Sequence, residues 1–132
     1  MSELLESAPF ARFLGIEVDE FDSGTRYRLD ERDALVGNMM LPALHGGAMA
    51  AFLELCCAAE LTKVAGLNRP PRPISINLQY ISTARRLTTF ASTRIIRVGR
   101  RVAVVHAEAW QEDPCARVCA AQSEFRVEKS SR

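Results

Sequence analysis

One stretch constrains this chain more than any other. Over residues 45–65, Met49, Phe52, Leu53, Leu55, Cys56 and Leu61, with the intervening alanines, cover every side of a helix. A helix apolar all round is buried all round. A sheet curling round it would do part of this, and a second subunit would cover the remainder. The stretch opens with His45-Gly46-Gly47, ends at Gly66, and carries one charge before Glu60, the carboxylate of Glu54. Burying a carboxylate is costly unless it is paired or hydrogen-bonded, so Glu54 calls for a role.

The elements around this helix set the fold class. Ser7-Ala8-Pro9 predicts a short helix to about Leu14, with Ser7 as cap, proline in the first turn and Gly15 as the stop. Residues 16–22 and 25–30 predict two strands around a Ser23-Gly24 turn. Residues 30–44 have no clean period and contain Gly37, Asn38 and Pro42, so they read as a loop; a long loop before a helix is often functional. The proline-rich segment 68–73 is a connector. Ile74, Ile76, Leu78 and Tyr80 alternate with Ser75, Asn77 and Gln79, and further strands are expected over 88–98, 102–111 and 115–127. This order is α+β, with strands in antiparallel succession. In the 102–111 strand, Ala103, Val105, Ala107 and Ala109 share a face small enough for a helix to lie close.

Length and composition narrow the function classes. The 132 residues suit one domain, 1–132, and 48% apolar residues suffice for a core. Seventeen basic and 16 acidic residues leave a net charge of +1, with no global pull toward nucleic acid or membrane. Aromatics at 7% do not interleave the basic residues as a nucleic-acid surface would require. Residues 1–10 lack a charged start followed by an apolar run, and the apolar stretch 48–59 is interrupted by Glu54. A membrane span needs about 20 apolar residues. The expectation is a soluble, cytoplasmic protein. Cys56, Cys57, Cys115 and Cys119 form no C-x-x-C pair and match neither His45 nor His106 in spacing, so they are expected as small core residues, with no metal and no cofactor. His106, mid-strand, is expected as a hydrogen-bonded sheet residue.

Gly47 and Glu54 lie seven residues apart. On a helix they share a face but stand roughly 10 Å apart along the axis. One helix therefore cannot bring its own first-turn amides and Glu54 to one small reacting group. Two antiparallel helices related by a two-fold axis can, each site taking amides from one chain and a carboxylate from the other. The start of the helix offers unpaired N–H groups and a partial positive charge. Gly46 and Gly47 let a ligand carbonyl approach that backbone, and amides aimed at a developing oxyanion are central to acyl transfer. Taken singly, two glycines make a turn, a buried glutamate is ion-paired and His45 is a capping or loop residue. The combination is more specific than its parts.

The stretch "LHGGAMAAFLE" resembles the hotdog-fold thioesterases of the phenylacetate-degradation type, within the 4-hydroxybenzoyl-CoA thioesterase superfamily. Their pattern is His-Gly-Gly followed by Asp or Glu nine residues after the histidine, and His45 and Glu54 match it. The similarity continues through "ISINLQYISTAR" and "RIIRVGRRVAVVHAEAW" and covers nearly the whole chain. The resemblance implies a strongly curved antiparallel sheet wrapping one long helix, a homodimer or homotetramer, and acyl-CoA thioester hydrolysis without metal. It implies that the Gly47 N–H polarises the thioester carbonyl and that Glu54 of the partner subunit acts as general base or nucleophile. His45 would fix the loop and contact the thioester. The family places Asn six residues before the histidine; that position is Met39 here, and a bulge around Pro42 would bring Asn38 to it. Where the family has Ser or Thr opening the next strand, this chain has Pro73, and Ser75 is expected on the same strand face one step further in.

Phosphate contact with the nucleotide end of coenzyme A would fall to Arg100 and Arg101, at a hairpin turn, ahead of Arg69, Arg72, Arg85, Arg86 and Arg97. Met40, Met49, Phe52 and Tyr80 would line an acyl pocket, which suits aliphatic and aromatic groups alike. Two other functions fit the fold. One is an acyl-CoA binding protein without turnover; the other is a hotdog hydratase, whose Asp/His pair has no counterpart motif around His45 or His106.

Overall fold

The computed structural model of the protein describes residues 3–32, 35–38, 43–44 and 46–128, with the backbone alone at 3, 36–38 and 43. Two short helices, α1 (Glu3–Ser7) and α2 (Pro9–Leu14), come first. Ser7 does not cap α2: its hydroxyl donates back to the Leu4 carbonyl, and the extended Ala8 is the cap residue without a side-chain bond. Pro9 is the cause, since proline pushes the residue before it out of helical conformation. Gly15, in the left-handed region at φ 75°, ends α2 as expected.

A hairpin of β1 (Ile16–Phe21) and β2 (Gly24–Leu29) follows. The segment expected as a loop contains two short strands, β3 (Val36–Asn38) and β4 (Ala43–Leu44), paired with each other. Then come α3 (Gly46–Ala65), β5 (Arg72–Tyr80), β6 (Thr89–Val98), β7 (Val102–Trp110) and β8 (Arg117–Arg126). The main sheet has six strands in the order β1-β2-β6-β7-β8-β5, every neighbouring pair antiparallel. The α+β class read from the sequence is the one observed: one long helix against an antiparallel sheet.

The core lies between α3 and the strands β6, β7 and β8. Ala103, Val105, Ala107 and Ala109 are all fully buried, and their small side chains admit Phe52, Leu53, Cys56 and Leu61 of the helix. Leu5, Ala11 and Leu14 of α1 and α2 close one side. The described elements do not cover the helix all round. Ala48, Ala51, Glu54 and Leu55 stay half-buried and Val64 is exposed. Cys56, Cys57 and Cys119 are buried as expected, but Cys115 is exposed in the turn between β7 and β8, where its N–H bonds the Asp113 carboxylate. No helix among the described residues is long and apolar enough to cross a membrane.

Candidate active site at the start of the long helix

The start of α3 lies against the end of β5. Tyr80, the last residue of that strand, donates its hydroxyl to the Gly46 carbonyl oxygen at 2.9 Å. Behind this contact opens a cleft of about 390 Å³, lined among others by Leu44, Met49, Tyr80, Ile81, Val118 and Cys119. Its wall is the segment after β5, which is tied down on three sides. The N–H groups of Ile81 and Ser82 bond the Val118 carbonyl, Ala84 accepts from the Leu44 N–H at 2.9 Å, and Gln111 brackets the Arg85 backbone. Gln111 is buried and also donates to the Thr89 hydroxyl. The cleft is mostly apolar, so it suits a hydrocarbon group beside a polar helix start.

Gly46 and Gly47 are exposed at the first turn of α3, where the backbone N–H groups and the helix dipole favour negative charge. Glu54 lies two turns further along the same face. It is half-buried, and it has no hydrogen bond or ion pair among the described residues. Glu60 is different: it accepts from the buried Tyr27 hydroxyl at 2.9 Å and pairs with Lys63 at 3.4 Å. Within one chain, Gly47 and Glu54 stay about 10 Å apart along the helix axis. Buried Cys57 stands one turn from Glu54. Burial pushes its thiol pKa up to about 12; the Ser123 hydroxyl opposes this, and Glu54 and Glu60 add to it.

Of the other residues singled out in the sequence, His45 and Met40 lie outside the described residues. The backbone of Asn38 pairs with Ala43, and the register irregularity falls between Val36 and Asn38. Pro42, where a bulge was expected, is outside the described residues. Ser75 does not share a face with Pro73. A bulge at Ile74 sets Pro73 opposite the buried Phe125 and Ser75 opposite the exposed Glu124. Ser75 therefore points to the outer face of the sheet, where its hydroxyl donates to Glu124 at 2.6 Å.

Arg100 and Arg101 sit in the β6–β7 turn and line a second cleft with Arg97 and Glu124. The register places that turn at the Arg72 end of the sheet, the end away from Tyr80. At about 3.3 Å per residue, the two ends of β5 are roughly 26 Å apart. Arg69, Arg85 and Arg86 are engaged in ion pairs with Glu128, Glu112 and Glu31. His106 lies on the outer face, 3.9 Å from the Glu108 carboxylate that also holds Arg117. Phe52 is fully buried in the core and does not reach the cleft, whereas Met49 and Tyr80 do. Cys119 and the Gln111-tethered wall were missed in the sequence. The alternation along 115–127 carries the inward placement of Cys119, but nothing local signals the Gln111 tether.

Residues 41–116 match the family model described as thioesterase superfamily. A curated relative is the medium/long-chain acyl-CoA thioesterase YigI of Salmonella typhimurium, 25% identical over 119 residues, spanning 80% of this chain and 77% of that protein. Among solved structures, the BH2602 protein from Bacillus halodurans with CoA superposes with a TM-score of 0.82 at 19% identity, covering 94% of this chain and 81% of the other. A phenylacetic acid degradation-related protein of Ralstonia eutropha JMP134 superposes with a TM-score of 0.80 at 21% identity, covering 94% and 96%.

Proposed function

We propose that this chain, which belongs to the thioesterase superfamily, hydrolyses the thioester of an acyl-CoA in sites built between two copies of itself. The observation that carries the reading is Glu54. A half-buried carboxylate with no polar partner among the described residues shares a face of α3 with the exposed glycines of the helix start. A carboxylate is costly to bury unless it is paired, so a second copy covering this face would have to give Glu54 a role.

In this reading the Gly47 N–H and the helix dipole stabilise the oxyanion that forms on the thioester oxygen. Glu54 of the partner subunit takes a proton from water, whose oxygen bonds to the carbonyl carbon. The tetrahedral intermediate collapses, the C–S bond breaks, and the coenzyme A sulfur leaves with the proton that the carboxyl had collected. As direct nucleophile, the same carboxylate would instead form an anhydride that water opens. His45 and Asn38 are assigned to holding the loop beside the thioester.

Two features support a second copy of the chain. Gly47, Ala51 and Glu54 fall on one helix face that stays partly open, and the small residues among them let another helix approach. The β5 edge has no neighbour among the described residues and exposes Ile74, Tyr80 and Ile81. An open edge of this kind is normally covered. Antiparallel pairing of two β5 edges gives a homodimer, or half of a homotetramer. It also brings the Arg100–Arg101 turn of one copy to the Tyr80 end of the other, within reach of the nucleotide phosphates of coenzyme A.

The cleft of about 390 Å³ lies at the small end of ligand cavities, which run from roughly 300 to 1,000 Å³, so it takes the acyl chain and leaves the nucleotide outside. We assign a medium-length acyl group, within the range named for the Salmonella relative. The His-Gly-Gly…Glu spacing resembles that of the phenylacetate-degradation type, so aryl thioesters belong in the test. The experiment is thiol release from a panel of aliphatic and aryl acyl-CoAs, with wild type beside Glu54→Ala. Turnover that collapses in the variant supports the enzyme. Binding of CoA esters with no turnover on any of them would make the chain a binding protein.

A further inference from the structure

We propose that Tyr80 is a positioning residue for the oxyanion donor: its hydroxyl, bonded to the Gly46 carbonyl, orients and polarises the peptide whose N–H belongs to Gly47. The catalytic consequence rests on the thioesterase reading above; the geometry does not. The Gly46 C=O and the Gly47 N–H are the two ends of one peptide group. That group is planar and trans, so its two polar bonds point in opposite directions. Fixing the oxygen therefore fixes the direction of the hydrogen.

A helix start is where such fixing matters. First-turn N–H groups have no acceptor within the helix, and a peptide flanked by two glycines has little steric restraint of its own. A restraint beyond the helix's own hydrogen bond comes from a different element, 34 residues away in sequence, at a distance of 2.9 Å. The ring lies against the glycine backbone: a Cβ at Gly46 would stand 3.5 Å from the Tyr80 hydroxyl and 3.6 Å from two ring carbons. A carbonyl has two lone pairs, so this bond sits beside the helical one. Withdrawing charge at the oxygen strengthens the N–H as a donor, by about 10–30% for one bond in a chain. Tyr80 is 58% exposed in a single copy of the chain, so its hydroxyl fills no position in that chain's core.

The test is Tyr80→Phe in the full chain. With the acyl-CoA that wild type turns over fastest, kcat should fall about 3- to 10-fold, the range one neutral hydrogen bond supplies. KM should move less than about 2-fold, because the interaction acts in the transition state. Chain-length preference and melting temperature should stay as in wild type. A tyrosine that only lines the acyl cleft predicts something else: phenylalanine keeps that lining, and kcat stays at the wild-type value. That result would overturn the proposal. A second readout does not need turnover. In amide-resolved NMR, Tyr80→Phe should move the Gly47 ¹⁵N resonance upfield, and an unmoved resonance overturns the positioning role by itself. If wild type hydrolyses no thioester, the functional reading fails while the Gly47 resonance still decides the role of Tyr80.

Discussion

Raising the pH should destabilise this fold through Cys57, by an amount that can be worked out. The thiol is fully buried between α3 and β7, with its sulfur 3.9 Å from the Val105 carbonyl. Burial, opposed by Ser123 and reinforced by Glu54 and Glu60, lifts its pKa from 9.0 to about 12. A folded-state pKa above the unfolded one means that the native state keeps its proton after the unfolded state has lost it. The contribution is fully present below pH 9, declines as pH rises above it, and is gone once the folded thiol ionises. At pH 10.5 the unfolded thiol is about 1.5 units past its midpoint, and at about 1.4 kcal/mol per unit Cys57 alone removes about 2 kcal/mol. Urea unfolding at pH 8 and pH 10.5, at one protein concentration and with a phosphine reductant, measures this. Wild type should lose about 2 kcal/mol more between the two pH values than Cys57→Ala does. Lysines, tyrosines and the other cysteines titrate in both proteins and cancel. Equal losses in the two proteins would refute the linkage.

Two other substitutions probe what holds the site in place. Tyr27→Phe removes the donor to Glu60; a hydrogen bond to a charged group is worth about 1.5–3 kcal/mol, and Lys63 stays to share the load, so urea unfolding should show a loss near the lower figure. An unchanged midpoint would show that Lys63 and solvent satisfy Glu60 alone. Gly99→Ala puts a Cβ 2.9 Å from the Val102 carbonyl in the turn that presents Arg100 and Arg101, so that turn must shift. The melt should drop by the equivalent of about 1–2 kcal/mol, and KM for acyl-CoA should rise more than kcat falls. A variant that melts and binds like wild type would separate the turn from coenzyme A.

The parts of the fold written in short periods were legible in the sequence. Two-residue alternation over Ala103, Val105, Ala107 and Ala109 gave the helix-facing side of β7, and Gly66 gave the end of α3. The break at Ala8 was also legible, since proline acts on the residue before it, but the serine two residues upstream of Pro9 drew the cap to itself. The bulge at Ile74 was not legible. One extra residue in β5 reverses the face of Ser75, and nothing in an alternating sequence marks where the period slips. At the site, the glycines and Glu54 stood out because each is wrong for an inert core helix. The Tyr80 bond to Gly46 and the Gln111 tether join residues 34 and 26 positions apart, and only the folded register brings them together. No polar partner of Glu54 lies among the described residues, and in this account the group it acts on is held between two chains.

That two-chain site is the central claim, and mixing two inactive variants tests it most directly. Gly47→Pro deletes the oxyanion N–H at a first-turn position that tolerates proline, and Glu54→Ala deletes the carboxylate. Each alone should be inactive on acyl-CoA. Co-expressed, they form hybrid dimers in which one site has the intact Gly47 of one chain and the intact Glu54 of the other. Random pairing restores about one site in four, so roughly a quarter of wild-type turnover should return. Hybrid dimers that form and stay silent, while wild type turns over, would place both groups of a site on one chain and contradict the account.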